Sequence, residues 1–203
     1  MFVQVIQGKV TDVDEVRAQM DRWIAELAPG SIGWLGSTMG VTDDGRFIAL
    51  ARFESEEAAR QNSARPEQDA WWQQTVKLFE GEPEFHDSTS VDVDMTGDPD
   101  QAKFVQVMQG RTSDPERATE LMSANDDIDW EGFRPEILGT LSVNHEENGW
   151  TMAIYFTSEE DARAGEQKEP PPEIASMMEE LNSLSVGEPT YYDLRDPWLS
   201  SPS

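Results

Sequence analysis

The sequence predicts an α+β protein in which one β-α-β-β-α-β unit occurs twice along a chain of 203 residues. The first observation behind this prediction is a repeat: Phe2–Lys9 returns as Phe104–Arg111, with six of eight positions identical. The second is that later segments recur in the same order, with Leu35–Ser37 matched by Leu138–Thr140. A period of about a hundred residues is far longer than that of solenoid repeats, so each copy is a domain-sized unit.

The first half of each unit is predicted to be a strand followed by a helix. In the first copy, Phe2–Gln7 alternates aromatic or β-branched residues with glutamine, which is typical of a strand. Asp12, with Glu15 three positions later, is typical of a helix start. An apolar stripe at three- and four-residue spacing then predicts the helix, with Val16, Met20, Trp23, Ile24 and Leu27 on one side.

The second half of the unit is predicted to be a hairpin, a helix and a last strand. Asp44-Gly45 separates two β-rich runs, which is a hairpin signal. Ser55 predicts the next helix start, and Pro66 predicts an interruption of that helix. The last strand is expected at about 84–91. This order of elements is that of the ferredoxin-like fold.

The repeat predicts the domain boundaries. We expect a first ferredoxin-like unit over 1–92, a linker over 93–103, a second unit over 104–195 and a C-terminal tail over 196–203. Helices cover one face of such a sheet, so the other face needs a partner. We therefore expect the repeats to pack sheet to sheet as an intramolecular dimeric α/β barrel. Such a chain is a monomer with an internal pseudo-dimer, with further homodimerisation left open.

Composition argues against several classes of partner and cofactor. The chain has 15 Lys and Arg against 41 Asp and Glu, a net charge of −26, which disfavours nucleic acids and anionic membranes as partners. No apolar run is long enough for a membrane helix, and no signal-peptide pattern is present. The absence of cysteine and of standard nucleotide-binding loops leads us to expect no cofactor and no metal. We expect a cytoplasmic protein.

Glutamines within the first strand of each copy are candidate ligand-binding residues. Gln4 and Gln106 alternate with small β-branched residues, Val3 and Val5 in the first copy, which we expect to pack under the helices. The glutamines would then face away from the helices, where an amide can bind a carbonyl or an oxyanion. The alternative is a structural amide that bonds across the repeat interface.

The candidate catalytic residues are His86 and Arg52. Arg52 and its counterpart Tyr155 are expected to point away from the helices. There Arg52 either anchors an anionic ligand or pairs with a carboxylate, and Tyr155 is a ligand-binding candidate. His86 aligns with Tyr192 in the last strands, so it is either a general base or a structural histidine, and Tyr192 is a further ligand-binding candidate. His145, near the predicted hairpin tip, is expected to be exposed.

Two tryptophans complete the set of ligand-binding candidates. Trp34, at the start of the second strand, and Trp72 are interpreted as pocket-edge residues, with core packing as the alternative. The second copy has Met177-Met178 where the first has Trp71-Trp72, so we expect one binding site per chain, in the first copy.

In its element order, its duplication and the polar residues inside its first strand, the sequence resembles the dimeric α/β-barrel superfamily that contains the antibiotic-biosynthesis-monooxygenase-like proteins. The resemblance covers residues 2–92 and 104–195. It implies a cofactor-independent monooxygenase or a related enzyme acting on a small aromatic or apolar substrate. Haem is disfavoured because neither histidine lies in a predicted helix, where haem enzymes of the superfamily keep their axial ligand. The alternative is a non-catalytic small-ligand-binding or structural, stress-type protein with a filled barrel.

Overall fold

The computed structural model describes residues 1–123 and 130–202, and its contacts divide the chain into two units. Unit 1 comprises Met1–Val91 together with the C-terminal segment that begins at Asp196, and unit 2 comprises Asp92–Arg195. Each unit contains a five-stranded sheet. The α+β fold predicted from the sequence is therefore confirmed.

The described strands and helices follow the predicted order. In chain order the strands are β1 (Phe2–Lys9), β2 (Trp34–Val41), β3 (Arg46–Phe53), β4 (Glu84–Ser88), β5 (Ser90–Met95), β6 (Phe104–Arg111), β7 (Ile137–His145), β8 (Gly149–Phe156), β9 (Thr190–Leu194) and β10 (Trp198–Ser200). The α-helices are α1 (Val13–Arg22), α2 (Glu56–Ser63), α3 (Pro66–Thr75), α4 (Pro115–Ser123), α5 (Trp130–Phe133), α6 (Glu159–Glu166) and α7 (Pro172–Leu184). None of the described helices is long and apolar enough to cross a membrane.

Helix starts agree with the sequence signals. Asp12 caps α1 by accepting a hydrogen bond from the backbone N–H of Glu15 at 3.0 Å, and Ser55 caps α2. The predicted interruption at Pro66 is the boundary between α2 and α3. After Arg22, α1 continues as a π-helical turn over Trp23–Leu27, which the apolar spacing did not indicate.

The two sheets have the ferredoxin-like strand order with one extra edge strand each. The order is β10-β2-β3-β1-β4 in unit 1 and β5-β7-β8-β6-β9 in unit 2. Thus β5 lies partly in the expected linker, and β10 lies in the expected tail. Both cover a sheet edge whose backbone N–H and C=O groups would otherwise lack partners. A signal for β5 was present, because Ser90–Met95 alternates polar with apolar residues.

The expected orientation of β1 was wrong. Phe2 pairs directly with Phe53 of β3, and both rings belong to the core beneath the helices of unit 1. Directly paired residues project to the same face of a sheet, so Val3 and Val5 project to the opposite face, away from the helices. Both valines are nevertheless fully buried.

Candidate functional site

Arg52 and His86 share the face of the unit 1 sheet that points away from the helices. Val3 pairs with Arg52, and Val5 pairs with His86, so all four side chains project to one side. From strand spacing and rise, the Cα atoms of Arg52 and His86 are about 12 Å apart.

The guanidinium of Arg52 has an unsatisfied donor. Its Nε atom is buried and has no hydrogen-bond acceptor among the described residues, while the adjacent Val3 and Leu50 are fully buried. A buried donor without an acceptor costs about 1–3 kcal/mol. A ligand that supplies an anionic acceptor here recovers that cost and forms a charge-assisted bond.

Arg52 lies against a glycine of the neighbouring strand. The pairing of β2 with β3 shifts between Trp34 and Gly36, and Gly36 is then opposite Arg52. The φ angle of Gly36 is 126°, in a region that other residues rarely adopt. A Cβ atom at Gly36 would lie 2.5 Å from Nη2 of Arg52 and 2.7 Å from the carbonyl oxygen of Ser200.

In unit 2, tyrosines occupy the corresponding face. Val105 pairs with Tyr155, and Val107 pairs with Tyr192, so both tyrosines project away from the helices as expected. Tyr155 is fully buried, and Tyr192 is 6% exposed. A neutral hydroxyl in unit 2 thus takes the place of the cation in unit 1.

A polar cluster on the same face of unit 2 was missed by the sequence analysis. Gln109 Nε2 donates to Thr151 Oγ1 at 3.0 Å, and His145 Nε2 lies 3.2 Å from the same oxygen. On the other side of the ring, His145 Nδ1 lies 3.8 Å from Glu146 Oε2.

The expectation that His145 is exposed was wrong, since its side chain is 8% exposed. His145 follows Leu141 and Val143 at every second position of β7, on the face that points away from the helices. Leu141 and Val143 are fully buried. That alternation was the signal that places His145 inside the strand pattern.

Gln4 and Gln106 do not join Arg52 or the tyrosines, because both lie on the helix side of their sheets. Gln4 Nε2 donates to Asp87 Oδ1 at 3.0 Å, and Gln106 Nε2 donates to Asp193 Oδ1 at 2.9 Å. Asp193 also forms an ion pair with Arg163. The amides thus bind carboxylates of the adjacent strand within their own unit, in the same way in both repeats.

Trp34 and Trp72 also lie on the helix side. Trp34 donates from Nε1 to Ser37 Oγ at 3.0 Å, and its ring lies 5.2 Å from that of Trp23 in the core. Trp72 is half-buried, with its ring 5.6 Å from that of Phe85. Among the candidate residues, the structure therefore brings together Arg52 and His86 in unit 1, and Tyr155 and Tyr192 in unit 2.

A surface cleft of about 380 Å³ lies in the helix layer of unit 1, between the π-helical turn and α3. Arg22 and Glu26 line it and form an ion pair of 2.9 Å, and Trp71 also lines it. Its volume is in the range of ordinary ligand pockets. The sequence-predicted site residues are not among its lining residues.

Comparisons with known proteins bear on the fold. No protein-family model matches the chain, and no curated protein matches its sequence. Solved structures do match. A candidate monooxygenase from Lactobacillus acidophilus superposes with a TM-score of 0.73 over 98% of this chain and 99% of its own, at 12% identity. An anthrone oxidase-like protein superposes with a TM-score of 0.69 over 98% of this chain and 92% of its own, at 10% identity.

A protein described as a major regulator of staphylococcal pathogenesis also matches, with a TM-score of 0.55 over 96% of this chain and 98% of its own, at 8% identity. Similarity at these identities concerns the fold alone, and proteins that share a fold carry out different functions. The resemblance identified in the sequence is confirmed at the level of the fold: structures described as candidate monooxygenases and as anthrone oxidase-like match nearly the whole chain.

Proposed function

We propose that the protein is a cofactor-independent monooxygenase that acts on a small, flat, phenolic substrate in its deprotonated form. The observation that carries this proposal is the buried, unsatisfied Nε of Arg52, on the same sheet face as His86. Arg52 as a whole is half-buried, and a partly desolvated guanidinium stabilises an anion more than a neutral ligand, because the local dielectric constant is lower than that of water.

In such a reaction the substrate supplies its own electrons. His86 removes a proton, and Arg52 stabilises the resulting anion. The anion reduces dioxygen, a C–O bond forms, and the proton completes a hydroperoxide. Loss of water then leaves a carbonyl group, so one oxygen atom ends in the product and the other in water. The protein contributes a proton acceptor, a fixed positive charge and the exclusion of water.

The matched structures support this choice of chemistry, since two of them are described as a candidate monooxygenase and as anthrone oxidase-like. Hydroxyanthrones are flat and phenolic, and the carbon that is oxidised carries an acidic C–H bond.

Oxygen uptake with 1,8-dihydroxyanthrone and 1-naphthol tests the proposal. We expect enzyme-dependent uptake and, under ¹⁸O₂, one labelled oxygen atom in the quinone product. Arg52→Ala should lower kcat/KM roughly 10- to 150-fold, because it removes a charge-assisted hydrogen bond worth about 1.5–3 kcal/mol.

Arg46→Ala is the matched control. Arg46 lies on the same strand but pairs with Asp44 at 2.9 Å in the hairpin, so its loss should leave kcat/KM unchanged. Uptake no faster than in buffer for both substrates, or equal effects of the two arginine variants, would contradict the proposal.

The second candidate function is ligand binding or a structural role without catalysis. It is favoured by the complete burial of Val3, Val5, Ile48 and Leu50 on the face that carries Arg52, which indicates a filled interior. The match to a regulator supports it as well. Native mass spectrometry of freshly purified protein separates the two, because a binding protein retains a ligand that it does not oxidise.

A further inference from the structure

We propose that Gly36 and the last strand of the chain form a niche that positions Arg52, and that this niche makes unit 1 the single anion-binding unit of the protein. The inference rests on the proposed function and goes beyond it in two ways. It assigns positioning residues that do not touch the substrate, and it predicts one anionic ligand per chain.

The niche is a gap in the side-chain layer above β2. Because Gly36 has no Cβ, Nη2 of Arg52 and the carbonyl oxygen of Ser200 both approach the space that a side chain would fill, to 2.5 Å and 2.7 Å of the Cβ position. The guanidinium therefore rests on the backbone of β2. Any larger residue at Gly36 displaces either the guanidinium or the strand that carries Ser200.

The last strand is held at the niche by its own contacts within unit 1. Trp198 is 8% exposed, and its ring lies 6.4 Å from that of Phe47. Arg17 stacks over the Trp198 ring at 5.5 Å and forms an ion pair with Asp196. These contacts fix the register in which Ser200 pairs with Ser37, and that register places the Ser200 carbonyl beside Gly36.

Confinement in the niche explains how Arg52 keeps an unsatisfied donor in so acidic a chain. A mobile arginine side chain would reach one of the 41 carboxylates. A guanidinium that is confined beside a glycine and a backbone carbonyl is hindered from turning away, so its charge stays available to an incoming anion. Such preorganisation is what makes a charged group effective in binding.

Unit 2 has a similar close approach of strands, without the cation and without the positive φ angle of Gly36. The pairing of β7 with β8 shifts between Ile137 and Gly139, and Gly139 is opposite Tyr155. A Cβ at Gly139 would lie 2.7 Å from the carbonyl oxygen of Asp94 on the edge strand, just as at Gly36. The space that Arg52 occupies in unit 1 is filled here by the thioether of Met95. A thioether has neither a positive charge nor a hydrogen-bond donor with which to bind an anion.

Binding of 1-hydroxy-2-naphthoate, a planar fluorescent anion, to the full-length protein tests the inference. Its neutral methyl ester serves as the uncharged probe. We expect one site per chain and a preference for the anion. Gly36→Ala should weaken binding of the anion roughly 10- to 150-fold, as Arg52→Ala does, with little effect on the ester.

Gly139→Ala is the comparison in unit 2, because it adds a methyl group next to an edge-strand carbonyl at the same distance. It should leave the affinity for the anion unchanged. Alanine at Gly36 is also strained by the φ angle of 126°, which Gly139 does not share, so the deletion variant described next, which leaves Gly36 in place, tests the niche without that strain. Deletion of residues 199–203 is a second variant, which removes Ser200 but keeps Trp198 and both niche partners on β2 and β3. It should weaken binding of the anion in the same direction, and circular dichroism checks the fold of each variant.

Three results would overturn the inference: two equivalent sites per chain, full affinity in Gly36→Ala and in the deletion variant, or equal affinity for the anion and its ester. If Arg52→Ala still abolishes oxygen uptake while Gly36→Ala binds normally, the niche is wrong and the proposed function stands. If the probe binds as expected but no substrate is oxidised, the niche stands and the monooxygenase proposal fails.

Discussion

Aromatic rings fill the helix layer of unit 1, whereas smaller apolar clusters and ion pairs fill that of unit 2. In unit 1, the Trp23 ring lies 5.2 Å from Trp34 and 6.4 Å from Trp71, within one continuous core. In unit 2, Phe104 and Phe156 pack with the helix residue Ala162, separately from a cluster of Leu121, Ile174 and Met177. The same backbone is thus stabilised in two different ways.

Unit 2 also contains an ion pair that is largely buried. Arg134 pairs with Glu136, which is 6% exposed. Lys168 Nζ lies 3.6 Å from the same carboxylate. The strands β1 and β6 have nearly the same residues, so the two units share a central strand while the layers packed on their sheets differ.

The largest expected effect concerns position 71 in the core of unit 1, where the tryptophan corresponds to Met177 of unit 2. Trp71→Ala should lower the free energy of unfolding by about 3–5 kcal/mol, because it removes a ring in contact with two others and a hydrogen bond from Nε1 to the Gln19 carbonyl at 2.9 Å. Met177→Ala at the corresponding position should cost less. Urea denaturation measures both, with hydrogen exchange assigning the loss to each unit.

Trp71→Met sharpens the same comparison, because it gives unit 1 the residue of unit 2. We expect Trp71→Met to lower the free energy of unfolding by less than Trp71→Ala does. Equal losses for Trp71→Ala and Met177→Ala would show that the two layers are energetically alike despite their different composition.

A smaller effect is expected from the buried ion pair of unit 2. Burial alone would raise the pKa of Glu136, but the hydrogen bond from Arg134 and the charges of Arg134 and Lys168 outweigh it, so the pKa is lowered. Such a group stabilises the fold above its ordinary pKa of about 4.3 and loses this contribution as the pH falls through the lower folded-state value. Unit 2 should therefore lose stability below about pH 4.3, seen as faster hydrogen exchange.

Glu136→Gln should cost about 1.5–3 kcal/mol at neutral pH and flatten this acid dependence. Glu57→Gln is the control in unit 1, because Glu57 pairs with Arg60 at 2.7 Å on the surface and should matter little. An unchanged acid profile in Glu136→Gln would assign the acid sensitivity to other groups.

The smallest expected effect concerns two helix caps, which should contribute equally to the stability of the two units. Ser55 caps α2 and Ser158 caps α6, each by accepting from a backbone N–H three residues later, at 3.2 Å and 3.0 Å. Alanine at either position should cost about 1 kcal/mol. A difference of more than about 1 kcal/mol between the two would mean that the caps, too, have diverged.

Several features of the fold follow from local sequence alone. The repeat is visible as matched residues, and the capping residues Asp12 and Ser55 mark helix starts by a short-range hydrogen bond. Period-two alternation also separated Arg52 from its neighbour Phe53, and this predicted that Arg52 projects away from the helices. Each of these inferences depends on residues a few positions apart.

Tertiary structure decided the rest, because the deciding contacts join residues that are distant in sequence. Alternation says that Phe2 and Val3 face opposite sides, but only the pairing of Phe2 with Phe53 says which side the helices cover. An edge strand such as β10 depends on a partner strand more than 150 residues earlier. The niche at Gly36 likewise needs three strands at once, and no local pattern encodes their meeting.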